Sequence, residues 1–150
     1  MARLIASVLG SGLILRKVRG SDGGSGTIAS FFVFPISIAA GEIWGWPAQI
    51  ALLILVTVLG VWAVGHLRSE GDAGWIVVDE AAGTILATIG LGWGAGLIAL
   101  IVFRLADILK RSFPGVAQAE SLPGPTGIIA DDLVAGLYGL VAGHLVAALT

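Results

Sequence analysis

Residues 47–66 read P-A-Q-I-A-L-L-I-L-V-T-V-L-G-V-W-A-V-G-H, a run with no lysine, arginine or acid. A helix of that length rises ~30 Å, the depth of a bilayer's hydrocarbon core. Its proline sits at the first helical position, where the missing N–H costs nothing. Outward from this segment, further apolar runs cover 28–40, 75–91, 95–109 and 127–149. The run 28–40 is short and carries Pro35, so it is expected to be bent or incomplete. Residues 4–15 have the length of a signal-peptide core, but Arg16, Lys17 and Arg19 follow instead of a small-residue cleavage site. That stretch reads as an interfacial or re-entrant segment. The expected fold is all-α: one domain over 1–150, a polytopic membrane helix bundle of about four to five spans. The stretch 113–125 holds Pro114, Gly115, Pro123, Gly124 and Pro125, and is expected to be irregular.

Composition supports lipid as the solvent. Of 150 residues 57% are hydrophobic and 12% charged, with mean hydropathy +0.99, whereas soluble domains average roughly 25% charged residues. A net charge of −2 without a basic, aromatic-interleaved run argues against nucleic acid as a partner. The lack of cysteine removes thiolate metal sites and cysteine nucleophiles.

Alternating the spans places Arg16, Lys17, Arg19, Arg68, Lys110 and Arg111 on one side, with Arg3 near it. The opposite turns carry only Glu42, together with Trp44, Trp46 and Trp93. Basic residues concentrate in cytoplasmic loops and indole rings collect at interfaces, so the basic side is expected to face the cytoplasm. Many of the 23 glycines fall within spans, as close helix packing in lipid requires. Gly139 and Gly143 form a Gly-x-x-x-Gly pair. It would admit a second helix, from the same bundle or from another protomer of a homo-oligomer.

Five carboxylates lie deep in these runs: Asp79 and Glu80, Asp107, and Asp131 and Asp132. Ionisable groups at such depth are costly and usually mark a functional site. Asp79 and Glu80 are expected one turn into the third span, and Asp131 and Asp132 one turn into the fifth. Arg104, Asp107 and Arg111 share a helix face by their spacing. Adjacent acids repel unless a cation compensates them, and an all-oxygen donor set favours Mg²⁺ over zinc. Arg104, Lys110 and Arg111 could then pair with a phosphate. Carboxylates, a hard cation and arginine together suggest phosphoryl chemistry at a membrane surface. The bland alternatives are a structural Arg104–Asp107 ion pair and acids placed to suit a helix dipole. The glycine-rich stretch 20–30 lacks the G-K-[ST] ending of a Walker loop. Backbone N–H groups at a helix start, with the Thr27 and Ser30 hydroxyls, could still hold a phosphate. Glu70 and Asp72 read as solvated loop charges, and His66 and His144 as interfacial residues.

Three segments carry a family resemblance. G-D-A-G-W-I-V-V-D-E-A-A-G-T-I-L-A at 71–87 resembles the D-E-x-x-G segment of the phosphatidylglycerophosphatase A family. F-R-L-A-D-I-L-K-R-S-F-P at 103–114 resembles that family's F-R-x-x-D-x-x-K segment. E-S-L-P-G-P-T-G-I-I-A-D-D-L-V-A-G at 120–136 is similar to its G-x-G-I-x-x-D-D-x-x-A-G segment. The resemblance implies a Mg²⁺-dependent, multi-pass phosphatase of the bacterial inner membrane with its active site facing the cytoplasm. Such an enzyme converts the phospholipid phosphatidylglycerophosphate to phosphatidylglycerol. It implies Asp79, Glu80, Asp107, Asp131 and Asp132 as metal ligands or water-activating groups, and Arg104 and Lys110 as phosphate contacts, with Thr27 beside them. The proton acceptor would be Asp131 or Glu80, and direct aspartate attack through an acyl-phosphate stays open. The competing functions are an intramembrane cation or proton transporter built on the same acids, and a phosphatase of another lipid phosphate. The outer halves of the spans, nearly free of polar residues, disfavour transport.

Overall fold

The computed structural model describes residues 1–13, 24–67 and 74–150. Arg16, Lys17, Arg19, Arg68, Glu70, Asp72 and the first part of the glycine-rich stretch lie outside the described residues. Among the described residues the structure is all-helical. The helices are α1 (Ala2–Ala6), α2 (Ser25–Trp44), α3 (Trp46–His66), α4 (Val78–Ala87), α5 (Trp93–Ile108), α6 (Val116–Glu120) and α7 (Pro125–Ala147).

Three of them, α2, α3 and α7, are long and apolar enough to cross a membrane. Large apolar side chains on their outward faces, such as Phe31, Ile54, Val58 and Val141, are exposed. Contiguous apolar exposure on this scale suits a lipid surface and not water. The expectation for 28–40 was too short, because α2 continues through Pro35 to Trp44. In lipid a proline costs less than in a soluble helix, since neighbouring helices re-satisfy the freed carbonyl.

The expected third span, 75–91, is instead a short helix. α4 has 10 residues, which at 1.5 Å per residue is ~15 Å, half a bilayer. Residues 75–77 enter it as non-helical chain, and Thr88 closes it with a turn. α4 sits inside the bundle, packed by α2, α3, α5 and α7, with Ala81, Ala82, Thr84, Ile85 and Ala87 buried. A helix surrounded by protein need not match bilayer thickness, because its ends are satisfied by neighbours. The N–H of Val77 donates to the Ala6 carbonyl at 2.8 Å. Residues 4–15, as far as 13, form no long helix: α1 and a 3-10 turn at Ser11–Leu13 dock on α3 and α2.

At the opposite end a polar knot closes the turn after α4. Gln49 is fully buried; its Nε2 donates to the Ser37 and Thr88 carbonyls at 3.0 Å each, and its Oε1 accepts the Gly90 N–H at 2.8 Å. Gly90 has φ +71, a left-handed conformation open to glycine, and the Ser37 and Thr88 hydroxyls meet at 2.8 Å. The tryptophan-bearing half of the bundle is thus less purely apolar than the sequence suggests, but these groups satisfy one another. Gln49→Leu strands one N–H and two carbonyls. Interhelical bonds in lipid average ~0.6 kcal/mol and reach ~1.7, so we expect a loss of about 2–3 kcal/mol. Thermal unfolding in detergent measures it, and an unchanged melting temperature would contradict the role given to the knot.

Glycines set the tightest helix contacts. A Cβ on Gly139 would lie 2.5 Å from the Ala99 carbonyl oxygen, and one on Gly143 would lie 2.8 Å from the Ala99 Cβ. The Gly-x-x-x-Gly face is therefore filled by α5 of the same chain and is not open to a second protomer. The stretch 113–125 is not wholly irregular either. α6 forms within it because Val116 buries completely in the core beside Phe113 and Tyr138. The Tyr138 hydroxyl donates to the Pro114 carbonyl at 2.7 Å, fixing the loop on α7.

Candidate active site

At the end of the bundle away from the three tryptophans, α4, α5 and α7 bring their acids together. Asp79 and Glu80 occupy the first turn of α4, and not a position one turn deep, because the helix starts at Val78. The partial positive charge of a helix N-terminus favours carboxylates there. Asp107 lies in the last turn of α5, and Asp131 and Asp132 lie well inside α7, 4% and 3% exposed.

Asp79, Glu80, Asp107, Asp131, Asp132, Lys110 and Glu120 line one cavity of about 270 Å³, with Gly74, Ile76, Gly124 and Ile128 completing its wall. One oxygen from each of Asp79, Glu80 and Asp132 lies within 4.8 Å of the others, and the same holds for Asp107, Asp131 and Asp132. The buried oxygens Asp79 Oδ1, Glu80 Oε2, Asp131 Oδ1 and Asp132 Oδ2 have no hydrogen-bond partner. Buried carboxylate oxygens without partners are expensive, so their clustering describes a place that a metal ion could fill.

The two cations have different neighbours. Lys110 Nζ reaches Asp131 Oδ2 at 2.5 Å and Glu120 Oε1 at 2.8 Å. Partial burial works against its charge, but the hydrogen bonds to Asp131 and Glu120 outweigh this and raise its pKa above the ordinary lysine value. It therefore remains an ammonium across the neutral range. Arg104 is not among the residues lining the cavity. Its Nη1 lies 2.9 Å from Asp107 Oδ2 and 3.9 Å from Glu80 Oε1, and its Nη2 donates to Thr27 Oγ1 at 3.4 Å. Arg104 is thus ion-paired with Asp107, lies near Glu80 and is held by Thr27, while its buried Nε and Nη1 have no hydrogen-bond partner.

Two participants escaped the sequence. Glu120 shares Lys110, and only the helical turn of α6 brings it there across a proline-rich loop. Gly26 lies against Glu80: a Cβ at that position would collide with Oε1 of the carboxylate. Its signal was the glycine-rich stretch itself, which reads locally as a linker. Ser25 and Ser30 are fully buried on the same helix, and neither hydroxyl has a hydrogen-bond partner.

Comparison with known proteins agrees with this geometry. A family profile described as phosphatidylglycerophosphatase A matches residues 4–147. A Bacteroides thetaiotaomicron protein, provisionally named a phosphatidylinositol-3-phosphatase, is 31% identical over 121 residues, covering 76% of this chain and 71% of the relative. No solved structure matches the chain significantly. Both matches concern phosphate removal from lipids, and the acid-lined cavity in an apolar bundle is suited to it. The chain is a membrane lipid phosphatase, and it belongs to the phosphatidylglycerophosphatase A family.

Proposed function

We propose that the chain, as one integral-membrane domain over 1–150, hydrolyses the terminal phosphate of phosphatidylglycerophosphate to give phosphatidylglycerol. The reaction would depend on Mg²⁺ and take place at the cytoplasmic face of a bacterial inner membrane. The observation that supports it is the convergence of five acids from three helices on one cavity that also holds Lys110.

The donor set fits the ion. Asp79, Glu80, Asp107, Asp131 and Asp132 offer only oxygen, which a hard divalent cation prefers, and four of them present an oxygen that nothing else satisfies. Such an ion, when bound, supplies Lewis-acid polarisation of the phosphate and a more acidic water. The chain's own groups do the rest. Lys110, held between Asp131 and Glu120, can move its ammonium from the half-exposed Glu120 to an incoming phosphate oxygen. Arg104, itself held by Thr27, pairs with Asp107 and lies beside Glu80. The proton of the attacking water passes to Glu80 or Asp131. In each the unpartnered oxygen faces the ion, and the second oxygen, beside Arg104 or Lys110, is the one left to accept a proton. The acyl chains stay in lipid, and the headgroup alone enters the cavity.

The relative's name favours a second substrate, a phosphoinositide monoester. Transport is not favoured, because Ile85, Leu100 and Phe103, all fully buried, lie along the helices between the acids and the Gln49 knot. Phosphate release by detergent-purified protein decides among these. With Mg²⁺ we expect kcat/KM on phosphatidylglycerophosphate to exceed that on phosphatidylinositol 3-phosphate by roughly 10-fold or more. The reverse order would transfer the assignment to the phosphoinositide. No release from either by folded protein would remove the phosphatase reading.

A further inference from the structure

The acids form two groups, and one residue belongs to both. Asp79, Glu80 and Asp132 make the first; Asp107, Asp131 and Asp132 make the second. Given the metal dependence proposed above, on which this inference rests, we propose that the cavity takes two divalent cations, with Asp132 as the shared ligand.

Three observations point the same way. Each group retains unpartnered buried oxygens: Asp79 Oδ1, Glu80 Oε2 and Asp132 Oδ2 in the first, Asp131 Oδ1 and Asp132 Oδ2 in the second. Asp131 and Asp132 are more than nine-tenths buried and line the cavity, so these oxygens face a space and not bulk solvent. A single ion in the first group would leave the oxygen of Asp131 uncompensated, and the converse placement would strand Asp79 and Glu80.

Charge makes the same selection. With these five acids and Glu120, which lines the same cavity, ionised, Arg104 and Lys110 leave four negative charges in excess. One divalent ion still leaves a net negative cavity, which repels a phosphomonoester dianion. Two cancel the excess before substrate arrives, which removes the net repulsion of an anion. Ions sharing a carboxylate in two-metal sites typically lie ~3.5–4 Å apart, close enough for coupled spins.

The test is Mn²⁺ binding to the detergent-purified full chain, followed by equilibrium titration and electron paramagnetic resonance without substrate. Two Mn²⁺ per chain with a spin-coupled spectrum are expected. Asp107→Asn and Asp79→Asn should each leave one uncoupled ion, and Asp132→Asn should abolish the coupled signal. One Mn²⁺ per wild-type chain at saturation, in protein that still hydrolyses lipid phosphate, would overturn the second position and leave the phosphatase assignment intact. Two coupled ions in protein that hydrolyses no lipid phosphate would uphold the pair and remove that assignment. The wild-type stoichiometry decides the matter even if a variant fails to fold.

Discussion

Asp132→Asn is expected to reduce phosphate release by about 10³-fold or more while leaving a folded protein in the membrane. The size follows from the electrostatic part of such catalysis, where losing one group that stabilises developing charge costs ~10²–10³-fold. Asp132 should exceed this because its oxygens belong to both acid groups. The prediction has a second limb that separates function from packing. Asp132 is buried among like charges, and Asn has nearly the same shape without the charge. Removing an uncompensated negative charge from that environment relieves repulsion. The melting temperature of the metal-free variant should therefore equal or exceed that of metal-free wild type. Asp79→Asn should behave similarly, with its unpartnered Oδ1 beside Glu80 and Asp132. A structural role predicts the opposite: a lower melting temperature with activity retained by the molecules that fold. Substantial activity in both variants would count against the whole site.

Chelation should have an effect as large. Removing divalent ions leaves the cavity strongly anionic, so the dianionic substrate meets repulsion and the phosphate loses its electrophilic partner. A barrier increase of ~4 kcal/mol corresponds to a rate loss of about 10³-fold. Added Mg²⁺ should restore the rate. Binding to the folded state alone also stabilises it, by ~2.7 kcal/mol when the free ion is at a hundred times its dissociation constant. The melting temperature of wild type should therefore rise with Mg²⁺ by several degrees, and that of Asp132→Asn should rise much less. A phosphate-release rate indifferent to chelator would exclude the metal-dependent mechanism. A rate that falls without any Mg²⁺-linked change in melting temperature would place the ion with the substrate and not in the cavity.

The sequence by itself determined a great deal here, because lipid is an unforgiving solvent. Backbone polar groups must be satisfied internally and side-chain charge is costly, so apolar run length specifies helices and each deep acid stands out. Residues 47–66 announced α3 almost to the residue, and Asp79, Glu80, Asp107, Asp131 and Asp132 were all recognisable as a prospective site. Span length was less legible. Apolarity reports burial, and burial in protein looks the same as burial in lipid. Hence 75–91 read as a full span although only Val78–Ala87 is helical within the bundle. Gln49 was likewise invisible as a structural group: its three partners come from α2 and from the turn after α4, contacts that no local pattern encodes.

Which groups stand beside each cation was decided only by the tertiary structure. The i, i+3, i+7 spacing predicted Arg104, Asp107 and Arg111 on one helix face, but the helix ends at Ile108 and Arg111 falls in the following 3-10 turn. The sequence also made Arg104 a candidate phosphate contact. The packing of α2 against α4 lays Thr27 and Glu80 beside Arg104, a neighbourhood that spacing on one helix does not give. The turn of α6 brings Glu120 to Lys110 and leaves Lys110 on the cavity wall. Side-chain chemistry is local and can be read from one residue at a time. The division of charge among partners depends on distances between elements far apart in the chain, and those exist only once the helices have packed.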